Sequence, residues 1–205
     1  MPVTINGTTG IVTPSENTSA LTVGSITGIL KATSGVVSQA VAGTDYLTST
    51  SGGTITIATA QTASGTSVDF TGIPSWAKRV TVIFAGVSTN GTSNLQIQIG
   101  AGSVTSSGYN SSAWTAITAV SGNVTTGFIL TAQNAAATTY HGSINLTTLG
   151  SNNWANSHSI GGQPNNYQSV GGGSIALGNT LDRVRITTVN GTDTFDAGTI
   201  NISYE

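Results

Sequence analysis

The chain has 205 residues, of which only 6% are charged, and a formal net charge of −2, whereas an average soluble domain gives about a quarter of its residues to charge. Five basic residues leave no electrostatic footprint for gripping a phosphate backbone, which argues against nucleic acid as a partner. The lack of cysteine rules out disulfides, thiolate nucleophiles and Cys-based zinc sites. With no basic-then-apolar leader and no long apolar run, neither a secretion signal nor membrane insertion is expected.

Residues 1–65 are low in complexity. Short β-prone pieces, at Val3-Thr4-Ile5, Ala20-Leu21-Thr22-Val23 and Thr54-Ile55-Thr56-Ile57, are separated by Gly, Ser and Thr, and pieces of that size enclose no core alone. Residues 36–41 have room for a single helical turn. The reading is an extended arm or shaft over 1–65, its apolar side chains covered by sister chains, followed by a compact domain over 66–205.

From Val68 onward apolar and polar residues alternate in runs bounded by Gly and Asn, as half-buried strands require. In 79–84, Val80, Val82 and Phe84 share one face; in 95–99, Leu95, Ile97 and Ile99 do so while Gln96 and Gln98 are expected to face out. Further strands are expected at 126–131, at 140–147 with Ile144 and Leu146 inward, at 173–177, at 183–189, and at 199–204 with Ile200, Ile202 and Tyr204 aligned. Asn90-Gly91 and Asn190-Gly191 are turn signals. About eight short strands predict an all-β fold, an antiparallel sandwich of jelly-roll type.

No catalytic, cofactor or metal constellation stands out. Of the two histidines, His141 falls in an expected strand and His158 in a polar loop, and no G-x-S-x-G elbow adjoins either. The clustered acids Asp182, Asp193 and Asp196 fit turn caps and ion pairs, Asp193 beside Asn190-Gly191 and Asp182 beside Arg183 and Arg185, better than a paired acid and base. Gly171-Gly172-Gly173 lacks the lysine and helix of a phosphate loop and reads as a flexible connector.

The two segments 106–114 and 151–167 read as Gly-rich loops in which aromatics interleave with amides. They hold Tyr109, Trp114, Trp154, His158, Asn165, Asn166 and Tyr167, residue types that stack on sugar faces, bond hydroxyls and anchor protein interfaces. These seven are the candidate binding residues. For Trp114 and Trp154 the competing reading is a plug at the end of the sandwich or in a subunit interface.

Two stretches resemble elements of bacteriophage appendages. Gly28-Ile29-Leu30-Lys31-Ala32-Thr33-Ser34-Gly35, followed by Ala40-Val41-Ala42-Gly43-Thr44-Asp45-Tyr46-Leu47, is similar to a linker of phage tail fibres, tail spikes and head fibres. The second element comprises Phe70-Thr71-Gly72-Ile73-Pro74, Lys78-Arg79-Val80-Thr81-Val82, Ser88-Thr89-Asn90-Gly91-Thr92-Ser93 and Gln98-Ile99-Gly100. It closes with Phe195-Asp196-Ala197-Gly198-Thr199-Ile200-Asn201-Ile202-Ser203-Tyr204-Glu205. The resemblance implies a non-enzymatic structural protein on the virion surface, a homotrimer. Its arm joins other virion proteins and its knob binds a host cell-surface glycan or protein during adsorption. A capsid head fibre or decoration protein is the alternative it leaves open.

Overall fold

The computed structural model describes residues 28–34, 36–42, 44–46, 55–115 and 123–205, so the pieces expected at 3–5 and 20–23 lie outside the described residues. The chain divides into two compact units, Met1–Leu47 and Thr48–Glu205. In the first, β1 (Leu30–Thr33) and β2 (Val36–Gln39) pair antiparallel, from Leu30 opposite Gln39 to Thr33 opposite Val36. The helical turn expected at 36–41 is thus a strand at its start, in keeping with the preference of the β-branched Val36 and Val37 for a pleated backbone. The Asp45 carboxylate accepts the Val41 amide at 2.8 Å and pairs with the Lys31 ammonium at 2.8 Å. Hydrogen bonding from Lys31 holds the Asp45 carboxyl below its ordinary range, and the contact ties the two halves of the linker-like segment together.

The second unit is built from β3 (Thr56–Ile57), β4 (Gln61–Thr62), β5 (Ser67–Thr71), β6 (Arg79–Thr89), β7 (Leu95–Ala101), β8 (Ser103–Val104) and β9 (Asn110–Thr115). It continues with β10 (Phe128–Ile129), β11 (Thr139–Gly150), β12 (Asn153–Gln163), β13 (Tyr167–Ala176), β14 (Arg183–Thr188) and β15 (Phe195–Tyr204). Among the described residues there is no helix. The larger sheet runs β3-β15-β6-β11-β12-β13-β9 with β4 also on β15, and the smaller runs β10-β7-β14-β5 with β8 also on β7. The strands pair antiparallel, and the chain crosses between sheets at most connections. Both sheets contribute to one buried core, as in a β-sandwich.

Side-chain alternation builds that core. Val80, Val82 and Phe84 point inward on β6, and Leu95, Ile97 and Ile99 on β7, each at most 3% exposed. Ile144, Leu146, Ile200 and Ile202 join them, while Tyr204 is half-buried with its ring 5.7 Å from that of Trp76. Each buried Val, Ile or Leu contributes roughly 1.5–3 kcal/mol.

Several expectations need correction. The boundary at 65/66 leaves out β3 and β4, yet Thr56 and Ile57 pair with Tyr204 and Ser203, Gln61 and Thr62 pair with Ile200 and Thr199, and Gly65 bridges Phe195. The edge of β15 supplies the hydrogen bonds these short pieces cannot find alone. Gln96 and Gln98 do project from the outer face of β7, but they are buried because residues 123–127 lie over them. Gln98 Nε2 donates to the Thr126 carbonyl at 2.9 Å, and Thr126 Oγ1 donates to Gln96 Oε1 at 3.0 Å. Of the strand expected at 126–131, only Phe128 and Ile129 pair as β10.

The triple glycine is no connector: it lies in the middle of β13, between β9 and β12. A Cβ on Gly171 would stand 2.5 Å from His158 Cε1 and 2.6 Å from the Ser112 carbonyl, and one on Gly173 2.6 Å from the Asn110 carbonyl. Close packing demands glycine at both positions. The two Asn-Gly segments join strands of different sheets and hold each other: Asn90 exchanges hydrogen bonds with Thr194, while Ser93 bonds both Asp193 and Asn190. Gly191 there has φ 68°, the left-handed conformation that turn requires.

Candidate functional site

The seven residues expected to meet a receptor do not share one surface. Tyr109, Trp154, His158 and Tyr167 are interior, at 2%, 4%, 6% and 7% exposure. The Tyr109 hydroxyl accepts the Ile99 amide at 2.7 Å and lies 3.0 Å from the Thr105 carbonyl, and its ring meets Phe128 edge-on at 5.0 Å. It completes the ladder of β7 where β10 has ended, and burial pushes its pKa up to about 12. Trp154 points inward from β12, opposite Thr148 and Ile175, which is the plug reading.

His158 sits in β12 and not in a loop. Its Nδ1 is 3.3 Å from Asn156 Oδ1, its Nε2 has no hydrogen-bond partner, and burial lowers its pKa to about 4, so the ring is neutral. The residues Trp154, Asn156, His158 and Ile160 form one inward row. That period of two is present in the sequence but masked by its polar members. Trp114 is 46% exposed on the outer face of β9, and Asn165 and Asn166 are exposed at the β12–β13 turn. There Asn165 donates to Thr138 Oγ1 at 2.7 Å and Asn166 Oδ1 accepts from Gln163 at 3.2 Å.

A different surface has the form of a binding site. On the outer face of the smaller sheet, strand register sets Gln98, Arg185 and Asp69 in one row and Gln96, Thr187 and Ser67 in the next. Thr126 and Ser106 edge this floor on one side and residues 189–191 at one end, enclosing a groove of about 320 Å³. The Arg185 guanidinium forks onto Asp69 through Nε and Nη2, both at 2.7 Å, leaving Nη1 outside that pair. Thr187 Oγ1 donates to the Thr66 carbonyl at 2.8 Å, and Gln96 Nε2 to the Thr188 carbonyl at 3.3 Å. The amides of Gln96 and Gln98 are therefore spent on bracing the floor, and the groove offers the hydroxyls of its rim and a braced guanidinium to a ligand rich in hydroxyl groups.

The remaining titratable groups stand apart. His141 lies on the outer face of β11 and accepts the Gly86 amide at 3.2 Å. Asp182 pairs with Arg183 at 2.7 Å, and that bond keeps its carboxyl below the ordinary range; Arg185, its other neighbour in sequence, reaches Asp69 instead. Asp193 is likewise lowered, first by Asn190 and then by the Ser93 amide, and Asp196 accepts Ser88 Oγ. No group of three or more His, Cys, Asp or Glu placed to hold a metal occurs among the described residues.

Comparison with known protein families, with curated proteins and with solved structures returns no match.

Proposed function

We propose that the chain is a structural subunit of a bacteriophage appendage, a homotrimer whose jelly-roll-like second unit carries the polar groove to a glycan or protein on the host cell. The observation that carries the reading is the first unit. The residues of the linker-like segment fold into a two-stranded hairpin that leaves Ile29, Leu30, Val37 and Val41 at 54%, 48%, 41% and 55% exposure. A hairpin of that size is marginal in water by itself, and sister chains bring the missing cover. Each trimer then offers three weak grooves, and simultaneous engagement turns them into firm attachment.

Light scattering on the purified chain is expected to return three times the 20.5 kDa chain mass; a single-chain mass refutes the assembly. Added to host cells before the parent phage, the protein is expected to block infection. Arg185→Ala is expected to weaken that block while leaving the mass unchanged. Full infectivity under saturating protein refutes adsorption and favours the capsid-decoration role.

A further inference from the structure

We infer that the outer face of the larger sheet is the surface by which second units of neighbouring copies pack together; the inference rests on the self-assembly proposed above and names the face that it uses. Strand register lays Trp114 beside Val170, Val170 beside Ser159, Ser159 beside Ser143, and Ser143 beside Ile83. This row crosses five strands. Its apolar members are well exposed, Ile83 at 41%, Val170 at 45% and Trp114 at 46%. The side chains between them are serines, so within this row nothing stands up to keep a partner away.

The four adjoining strands β11, β12, β13 and β9 hold no Asp, Glu, Lys or Arg; the charged residues on the larger sheet's strands, Arg79 and Asp196, lie on β6 and β15. Depletion of charge with retention of aromatic and aliphatic side chains is the mark of an interface centre. Gly172 adds to this. Its neighbours Gly171 and Gly173 point inward and cannot carry a Cβ, but at Gly172 the nearest obstacle is the Asn156 carbonyl at 3.1 Å. A Cβ there would crowd that carbonyl, though less than one at Gly171 or Gly173 would crowd its neighbours, and glycine in a strand also marks close approach by another backbone.

Five strands about 4.8 Å apart and up to about 35 Å long present on the order of 800 Å², which around a threefold axis is divided between two neighbours. The occupant must be flat, uncharged and mixed in Ser, Gly and apolar side chains, and the same face on another copy answers that description. Three such faces around a threefold axis, each touching both neighbours, leave the groove of the smaller sheet outward.

The chain has no cysteine, so Ser159→Cys introduces a single thiol at the centre of the face. Ser174→Cys supplies a second position on it, and Thr71→Cys an exposed control on the smaller sheet. In native protein, reaction with a bulky maleimide is expected to be at least tenfold slower at positions 159 and 174 than at 71, with the three rates equal in urea. Labelling at 159 or 174 as fast as at 71, in protein of trimeric mass, overturns this inference and leaves the assembly standing. A single-chain mass overturns both. Val170→Lys is expected to lower the thermal midpoint of the assembly, and an unchanged midpoint counts against the face.

Discussion

Tyr109→Phe tests whether Tyr109 serves the fold or a ligand. The substitution keeps the ring and its contact with Phe128 and removes only the hydroxyl. The Ile99 carbonyl loses little, since it also accepts the Thr105 amide at 3.0 Å, but the Ile99 amide loses its acceptor at 2.7 Å in the interior. A buried donor left unpaired costs about 1–3 kcal/mol, which for a chain of this length lowers the thermal midpoint by roughly 4–8 °C at the middle of that range. Tyr109→Ala removes the ring as well and is expected to cost about 3–5 kcal/mol. The assay is urea unfolding followed by tryptophan fluorescence at one fixed chain concentration, because assembly makes the midpoint concentration-dependent. A Tyr109→Phe protein within about 0.5 kcal/mol of the parent, less than a typical single hydrogen bond contributes, refutes the role given to this hydroxyl.

Two further outcomes follow from the interior of the larger sheet. His158 has a folded pKa of about 4 against an ordinary 6.5, so the unfolded chain takes up the proton first. Stability is full above pH 6.5 and declines as the pH falls towards 4, by about 2–3 kcal/mol at pH 4.5, and His158→Leu is expected to flatten that part of the urea-midpoint profile; an unchanged slope assigns the pH dependence elsewhere. Gly171→Ala drives a methyl against His158 and the Ser112 carbonyl and is expected to cost at least ~2 kcal/mol, whereas Gly172→Ala, facing out, is expected to cost less than about 1 kcal/mol. Paired thermal melts check the order, and equal losses contradict the assigned facing.

Much of the fold was readable where alternation is pure. Val80, Val82 and Phe84, or Leu95, Ile97 and Ile99, declare their faces without any tertiary information. The reading failed where polar or small residues occupy inward positions. Trp154, Asn156 and His158 keep the period of two but not the hydrophobicity, and three consecutive glycines carry no pattern at all, so β12 and the part of β13 before the strand expected at 173–177 read as a loop and a connector. The groove was hidden for a different reason. Arg185 and Asp69 stand 116 residues apart, and Gln96 and Gln98 are covered by residues remote in sequence. Only strand register brings those groups together, and register has no local signature in any of the strands involved.

The position of β6 affects how this protein is made. It pairs with β11 on one side and β15 on the other, both later in the chain, and Ser88 finds Asp196 only 108 residues downstream. At synthesis rates of about 5–20 residues per second, β6 waits roughly 3–12 s for β11 and roughly 5–20 s for β15, with at least one bare edge until the second leaves the ribosome. Such long-separation pairing is slow to form, and newly made subunits depend during that interval on dilution or on chaperones to stay out of aggregates. Slower, cooler expression is therefore expected to raise the soluble yield.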